Sequence, residues 1–306
     1  MDGDGRGGRW APTMVALLAV FALPTFGMAA PVSSEATATS GVPAFGHVYV
    51  VIMENRDYRS IVGNANAPYI NSLIAHYGLA TNFYAVAHPS QPNYLALFGG
   101  STFGVTDDGV HNLAQSNLAD QIEAAGLTWH VYAQDYPGHC STAATAQGGT
   151  DLIAPAGWYA RKHDPAISFT NISQKPTRCA RISSLSSFDP GASSFELIVP
   201  DMTNDMHDGT TAQGDAFLKA FVPKITGSPA FANSLLVVTW DEGGTSQGGG
   251  GRVATIVVSP DLNRQGIRSS VAHSHYSLLR TIDEGLRLPC LRQACYASDL
   301  SEFFAP

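Results

Sequence analysis

The sequence predicts an α/β fold with a mostly parallel central sheet and helices on both of its faces. Three observations support this prediction. Near-continuous runs of β-branched and aliphatic residues are typical of strands that are buried on both faces. Segments with helical periodicity lie between these runs, as in sheets built from strand–helix–strand units. Hydrophobic residues make up 44% of the 306 positions, which is enough to form a large core.

The first 30 residues have the pattern of a secretory signal peptide. Arg6 and Arg9 precede an apolar run over residues 14–23 that is too short to span a bilayer, and small residues follow, with cleavage expected near Ala29 or Ala30. An uncleaved membrane anchor is the disfavoured alternative. We therefore expect a secreted or periplasmic protein with no stable membrane insertion after cleavage.

The rest of the chain is predicted as a linker over residues 31–45 and a single domain over residues 46–306. The linker segment is rich in Ser, Thr and Ala, and the domain has no internal repeat and no break in composition. Within the domain, residues 140–190 show little periodicity and are rich in Ser, Pro and Gly. This region is predicted as an insertion tied by a disulfide.

The chain has four cysteines, an even number that fits disulfides in an exported protein. Of the three possible connectivities, the local one pairs Cys140 with Cys179 and Cys290 with Cys295. A zinc site is the alternative, but no CxxC pair with nearby histidines is present. Disulfides are therefore expected.

Four apolar runs are predicted as strands, in chain order at His47–Met53, Phe195–Val199, Ser234–Trp240 and Ala254–Val258, of which the second is the weakest. Helical patterns are predicted at residues 68–76, 93–98, 116–125, 215–225 and 276–286. Ser116 is in position to cap the third of these helices, and Gly126 is in position to end it.

The charge balance is acidic, because 17 Lys and Arg are opposed by 25 Asp and Glu, for a formal net charge of −8. A surface of this sign repels the phosphate backbone of nucleic acids, so no nucleic-acid partner is expected. No strongly amphipathic basic helix that would dock on a membrane is found. The composition favours a globular protein with a large core.

Polar side chains follow each predicted strand, at Glu54-Asn55, Asp201 with residues 204–208, Asp241-Glu242 and Ser259-Pro260-Asp261. In open α/β sheets, ligands bind outside the carboxyl ends of the strands. Buried carboxylates are costly unless they are paired or bind a cation. Helix caps and turns explain each pair alone, but several pairs at one edge favour a metal site. Oxygen and imidazole donors without thiolates suit Mg, Ca, Mn or Zn.

Ser90 lies in the segment HPSQPNY at residues 88–94, directly before an apolar helical run. At a helix N-terminus, free amide hydrogens and the helix dipole favour an anion such as phosphate. A hydroxyl that accepts a phosphoryl group is therefore well placed there, although helix capping is the commoner role of a serine at this position. The GxSxG elbow of α/β-hydrolases is missing, which argues against an ordinary carboxylic esterase.

Two histidines, His273 and His275, precede the last predicted helix. A histidine at a helix start can bind metal, orient a phosphate or protonate a leaving group near neutral pH. His275 is preferred because it directly adjoins the helical run.

Five segments resemble, in order, the motifs of the bacterial phosphoesterase family of acid phosphatases and phospholipases C: residues 51–55, 88–94, 204–208, 239–243 and 275–281. The resemblance covers nearly all of residues 46–304. It implies an alkaline-phosphatase-like three-layer α/β/α sandwich, with a metal-assisted serine or threonine nucleophile.

The resemblance also implies roles for individual residues. The catalytic set would be Ser90, His207 and His275. A divalent ion would be held by Glu54, Asn55, Asp241 and Glu242 together with the Ser90 oxygen, and whether a second ion binds stays open. The phosphate pocket would include His88, Asn93, His163 and His273. Glu242 departs from the pattern, because relatives closer to phospholipase C carry a second aspartate there.

The function expected from these features is that of a secreted, metal-dependent acid phosphatase that acts on a small phosphate ester through a phosphoserine. The long C-terminal extension of the larger phospholipases is missing, which favours a phosphomonoester. A phospholipase C or another phosphodiesterase is the alternative within the family. A non-catalytic surface module that keeps a metal for stability is the alternative from another class.

Overall fold

The computed structural model describes residues 41–147 and 158–304, and its centre is a sheet of nine strands. The strands of this sheet are β1 (His47–Met53), β2 (Gly78–Tyr84), β3 (Trp129–Ala133), β6 (Ile182–Ser184), β7 (Phe195–Val199), β8 (Ser234–Trp240), β9 (Arg252–Val258), β10 (Arg268–Ser269) and β11 (His273–Ser274). A separate hairpin is formed by β4 (Thr145–Gln147) and β5 (Trp158–Ala160). The predicted signal peptide and most of the predicted linker lie outside the described residues.

The strand order in the sheet is β10-β2-β9-β8-β1-β7-β3-β6, with β11 paired to β2. β1 lies at the centre and runs parallel to both β7 and β8. β9 is antiparallel to both of its neighbours, β8 and β2. The predicted mostly parallel α/β sheet is confirmed.

The direction of β9 corrects one prediction about the strand ends. Because β9 is antiparallel, Ser259-Pro260-Asp261 follows it at the opposite edge from Glu54 and Asp241. Ser259 Oγ donates there to the carbonyl oxygen of Ser234, at the start of β8, over 2.8 Å. This segment therefore does not converge with the other polar strand ends.

Helices cover both faces of the sheet. They are α1 (Tyr58–Ile61), α2 (Pro68–His76), α3 (Ser90–Gly99), α4 (Leu118–Ala124), α5 (Thr170–Ser173), α6 (Pro176–Cys179), α7 (Thr211–Thr226) and α8 (His275–Gly285). In β3, Trp129 packs against Phe98 of α3. Tyr132 points to the other face of the same strand and packs on Phe188, which contacts Phe221 of α7. This arrangement is the three-layer sandwich.

The cap of α4 differs from the prediction. Asn117, rather than Ser116, is the N-cap: its side-chain oxygen accepts from the Ala119 amide, and the Asp120 carboxylate accepts from the Asn117 amide. The Ser116 hydroxyl instead accepts a hydrogen bond from Arg292. Asn117 is favoured because its capping box also includes Asp120, one turn into the helix. Gly126 follows the helix in the left-handed conformation, as expected of a terminating glycine.

Two disulfides join the local pairs, Cys140 to Cys179 and Cys290 to Cys295. The first spans much of the predicted insertion.

At the start of the described chain, Phe45 from the predicted linker is buried, and its amide donates to the Gly285 carbonyl oxygen. None of the helices in the described residues is long and apolar enough to cross a bilayer.

Candidate active site

The ends of β1 and β8 bring four of the predicted metal ligands together. Met53 and Trp240 are partners in the parallel register of these strands, so the residues that follow them are neighbours. The Asp241 amide donates to the Met53 carbonyl oxygen over 2.9 Å, and the Asn55 amide donates to Asp241 Oδ1 over 3.0 Å. Glu54 and Asp241 are both buried. The pairing that forms the sheet therefore also places the carboxylates.

Three oxygen atoms of this group face one another. The Asn55 side-chain oxygen lies 3.0 Å from Glu242 Oε1 and 3.2 Å from Asp241 Oδ1. Rotation of the amide would let its nitrogen donate to both carboxylates, whereas a cation between the oxygens would satisfy all three as they stand. Asp241 Oδ2 is buried without a hydrogen-bond partner. This all-oxygen donor set fits a hard divalent cation.

Ser90 is the first residue of α3 and is buried against the same group. Its hydroxyl donates to Glu54 Oε2 over 3.1 Å. The amide of the next residue, Gln91, donates to Asp108 Oδ1 over 3.0 Å. The Ser90 oxygen thus lies beside the strand-end carboxylates, at a helix N-terminus that already binds one anionic side chain.

Two predicted histidines, His163 and His207, complete a second cluster with Glu54. Each of the three offers one potential ligand atom, and these atoms lie within 4.8 Å of one another. His163 Nε2 is 3.3 Å from Glu54 Oε2, but the orientation does not suit a hydrogen bond and leaves this buried nitrogen without a partner. Glu54 therefore stands between the oxygen donors on one side and two imidazoles on the other.

The other two histidines near this group hold the backbone and side chains of the strand-end segment. His88 Nδ1 lies 2.5 Å from Glu242 Oε2, and its Nε2 lies 2.9 Å from the Thr245 carbonyl oxygen. His275 Nε2 lies 2.6 Å from the Asp241 carbonyl oxygen, while its buried Nδ1 has no hydrogen-bond partner. Both rings fix the loop that carries Asp241 and Glu242.

Two further predicted residues make their contacts elsewhere. The Asn93 side-chain oxygen accepts from the Val86 and Ala87 amides, so it braces the turn before α3. His273 Nε2 pairs with Glu302 over 2.7 Å, beside a surface cavity of about 520 Å³. These contacts join neither side chain to the carboxylate cluster.

Burial and mutual repulsion shift the carboxyl groups toward their protonated forms. Burial raises the pKa of Asp241 to about 7, and the Glu242 charge adds to the shift. Burial, followed by the charges of Asp241 and Asp205, holds the pKa of Glu54 well above its usual range. Asp205 is shifted in the same direction, chiefly by burial. These groups cannot all ionise at neutral pH without positive charge among them.

Burial acts in the opposite direction on the imidazoles. It holds the pKa of His163 well below its usual range, with the nearby Lys162 charge adding to the effect. Burial also lowers the pKa of His275 to about 4. Both rings are therefore neutral at neutral pH, the form in which imidazole binds metals.

Several residues at the site were not among the predicted set. The Tyr94 hydroxyl donates to Glu54 Oε1, and its ring stacks on His163 with centroids 5.3 Å apart. Asp205 Oδ2 lies 3.3 Å from His163 Nδ1. Lys162 Nζ lies 3.3 Å from His207 Nε2. Tyr94 could have been found from its position one helical turn after Ser90, and Lys162 from its place beside His163.

Comparison with known proteins gives a consistent result. The model of the Phosphoesterase family matches residues 64–289. A phosphatidylinositol-3-phosphatase from Mycobacterium tuberculosis is 36% identical over 275 residues, covering 87% of this chain and 85% of its own. An acid phosphatase from Aspergillus fumigatus is 29% identical, covering 84% of this chain and 58% of its own. The chain spans about three fifths of the length of this and the other fungal relatives.

Solved structures agree on the fold. A protein in the alkaline phosphatase superfamily from Vibrio parahaemolyticus aligns with a TM-score of 0.55 at 10% identity, over 83% of this chain and 70% of its own. At this identity the likeness concerns the architecture alone. It confirms the predicted alkaline-phosphatase-like α/β/α fold.

Proposed function

The chain belongs to the phosphoesterase family, and from this membership and the site geometry we propose that it is a secreted, metal-dependent phosphomonoesterase that acts through a phosphoserine at Ser90. Its relatives support the broader class, a phosphoric monoester hydrolase. The observation that carries the proposal is the position of the Ser90 hydroxyl. It lies at a helix N-terminus, hydrogen-bonded to a buried carboxylate beside the strand-end oxygens.

Ser90 is the nucleophile of the proposed reaction. Its hydroxyl hydrogen is directed to Glu54 Oε2, which leaves the oxygen lone pairs available to attack phosphorus. A bond forms between Ser90 Oγ and phosphorus as the hydroxyl proton passes to Glu54 Oε2, while the bond from phosphorus to the leaving oxygen breaks and that oxygen takes up a proton. Water then attacks the phosphoserine, which releases phosphate and restores the hydroxyl. The α3 N-terminus stabilises the negative charge in both steps.

The proposed metal site consists of Glu54, Asn55, Asp241 and Glu242 with the Ser90 oxygen. The unpartnered Asp241 Oδ2 and the facing oxygen of Asn55 support this assignment. A bound divalent ion would lower the pKa of the serine hydroxyl and neutralise charge on the phosphoryl oxygens. Glu54, His163 and His207 provide the donors for a second ion, should one bind.

Of the two predicted catalytic histidines, His207 is the better donor of a proton to the leaving oxygen. Its side chain is about one quarter exposed, and its Nδ1 lies 2.8 Å from Asp208 Oδ1, which orients the ring. His275 is fully buried and bonded to the Asp241 carbonyl oxygen. We assign His275 to positioning Asp241, and His88 to positioning Glu242.

The proposed substrate is a small phosphate monoester. The relative from Mycobacterium tuberculosis is named for a monoester on an inositol lipid, so a soluble short-chain phosphatidylinositol 3-phosphate is one probe of interest. Export to an oxidising compartment is supported by the two disulfides. The acidic balance of the chain gives no support for a nucleic-acid partner.

Phosphate release from p-nitrophenyl phosphate by the purified chain tests the proposal. Activity is measured before and after chelation, with Mg, Ca, Mn or Zn restored one at a time. Ser90→Ala is expected to reduce kcat about 10⁴-fold or more, as loss of a nucleophile does in other hydrolases. Ser72→Ala, an exposed serine of α2, is the matched control and should keep full activity.

Acid quenching during turnover should trap phosphate on the wild-type chain and none on Ser90→Ala. An active Ser90→Ala protein would overturn the nucleophile assignment. Release from phosphatidylcholine or another diester, with none from monoesters, would move the assignment to a phospholipase C. Metal-dependent melting with no turnover on any ester would favour the non-catalytic module.

A further inference from the structure

Lys162 places a half-buried positive charge at the edge of the carboxylate cluster. It lies in a single 3₁₀ turn, Arg161–His163, between the buried side chains of its two neighbours. Its Nζ donates to Asp108 Oδ2 over 2.9 Å and to His207 Nε2 over 3.3 Å. An ammonium group has three donors, and these two contacts use two of them.

Asp108 connects this lysine to the nucleophile. One oxygen of its carboxylate accepts from Lys162, and the other accepts from the Gln91 amide, directly after Ser90. The ammonium group is therefore separated from the N-terminus of α3 by a single carboxyl group. Lys162 is thus linked through Asp108 to the helix terminus that carries the Ser90 oxygen.

The charges around the site require such a cation. Three carboxyl groups, Glu54, Asp241 and Glu242, are buried together beside the Ser90 hydroxyl, which donates to the first of them. A phosphate ester that approaches Ser90 brings further negative charge to these carboxylates. Binding is unfavourable unless a fixed positive group contacts the phosphoryl oxygens.

A purely structural role for Lys162 is less well supported, because its neighbour already fulfils that role. Arg161 donates to the carbonyl oxygens of His111 and Ile167 and to the Asn112 side chain, which fastens the turn to the residues around it. The turn is therefore fastened to residues 111, 112 and 167 by Arg161 and not by Lys162.

On the premise of the proposed phosphatase function, we propose that Lys162 is a catalytic residue whose ammonium group binds a non-bridging oxygen of the phosphoryl group transferred to and from Ser90. Before substrate binds, it donates to His207 Nε2. When substrate binds, a phosphoryl oxygen replaces Nε2 as the acceptor, and Nε2 is then free to take a proton from water and pass it to the leaving oxygen. Phosphate binding to Lys162 thus frees His207 Nε2 for proton transfer.

The test compares Lys162→Met, Lys162→Arg and Asp108→Asn in the metal-loaded chain. For Lys162→Met, kcat/KM for p-nitrophenyl phosphate should fall 10²- to 10³-fold, the range for loss of one donor to transition-state charge. Inhibition by inorganic phosphate should weaken at least tenfold. Lys162→Arg should regain at least tenfold of the lost kcat/KM, because it restores the charge. Lys219→Met, an exposed lysine of α7, is the matched control and should change neither constant.

Asp108→Asn separates phosphate binding from the ion pair. It removes the charge that pairs with Lys162 but keeps an oxygen for the Gln91 amide, so phosphate inhibition should stay within about threefold of wild type. Equal losses in Lys162→Met and Asp108→Asn would overturn the proposal and assign Lys162 to a structural ion pair. So would a Lys162→Met protein with unchanged phosphate inhibition.

Failure of the phosphatase function itself is recognised separately, because the wild-type chain would then hydrolyse no ester. Calorimetric titration with inorganic phosphate still tests Lys162 in that case. Weaker binding to Lys162→Met than to wild type supports the phosphate contact, and equal binding overturns it. If Lys162→Met does not fold, Lys162→Gln takes its place in the same titration.

Discussion

Buried carboxyl groups occur in two settings in this protein, crowded together in a cluster or alone. Glu54, Asp205 and Asp241 lie together at the carboxyl ends of the strands. Asp283, near the end of α8, is equally buried but stands apart from them: its Oδ2 accepts from the Leu291 amide over 3.0 Å, and its Oδ1 has no hydrogen-bond partner. Comparison of the two shows what burial alone can indicate about function.

A single buried carboxyl group can be stabilised by keeping its proton. Burial raises the pKa of Asp283 to about 8, and it raises the pKa of Glu196 in β7 to about 8 as well. Each accepts one backbone hydrogen bond, from Leu291 and from Ser193 respectively. A neutral carboxyl group of this kind requires no cation. Burial alone is therefore weak evidence for a functional site.

The strand-end group differs in its crowding. Its members raise one another's pKa values in addition to the effect of burial, and Asp241 keeps an unpartnered oxygen beside the oxygens of Asn55 and Glu242. The repulsion must be relieved and the facing oxygens must find partners, and protonation or rotation of the Asn55 amide meets these requirements only one contact at a time. A cation satisfies both requirements, so crowding, rather than burial, indicates function here.

The largest expected difference between the two groups is in catalysis. Asp241→Asn should reduce kcat/KM for p-nitrophenyl phosphate about 10³-fold or more, because it removes a charged ligand of the proposed ion. Asp283→Asn should leave kcat/KM within about threefold of wild type, because a neutral amide replaces a neutral carboxyl group. Steady-state kinetics of both variants at saturating metal measure this. Comparable activity losses in the two variants would show that the clustered carboxyl group contributes no more to catalysis than the isolated one.

How far the sequence predicted this site depended on where each residue lies. Glu54, Asn55, Asp241 and Glu242 were found because β1 and β8 are near-continuous apolar runs, predicted with the observed bounds, and the register of parallel neighbours makes their ends meet. Asp108 comes from a turn without periodicity, and its contact with Lys162, the neighbour of the predicted His163, depends on tertiary packing.

The prediction of the fold likewise missed features that depend on tertiary contacts. β2 was not predicted, because the segment GLATNFY contains residues that are poor strand formers. The direction of β9 could not be read from its own residues. It is set by the glycine-rich loop before it, where Gly248, Gly249 and Gly251 adopt positive φ angles and bring the chain back beside β8.

The second difference concerns stability in the presence of metal. A divalent ion at 100 times its Kd should stabilise the folded chain by about 2.7 kcal/mol. For a domain of this size, that corresponds to a rise in Tm of about 5–10 °C. Thermal melts of the chelated chain with and without each ion should show this rise for wild type and for Asp283→Asn. Asp241→Asn should lose most of it, and an unchanged rise in that variant would place the ion elsewhere.

The third expected difference concerns pH and applies to the isolated carboxyl group. The pKa of Asp283 is raised in the folded chain to about 8, chiefly by burial, from the usual 3.8 of an aspartate. The folded state therefore binds a proton that the unfolded state releases, and the stabilisation is complete below about pH 4 and is lost as the pH rises to about 8.

Asp283→Asn removes this titration, because an amide has the same shape and cannot ionise. Relative to its effect at pH 5, the substitution should favour the folded state by about 4 kcal/mol more at pH 8.5. Urea unfolding of wild type and variant in chelator at both pH values measures the difference. Asp261→Asn, which replaces an exposed carboxyl group, should shift both values equally. Parallel pH curves for wild type and Asp283→Asn would mean that the buried carboxyl group is ionised, and that its burial, like that of the strand-end group, is compensated by positive charge.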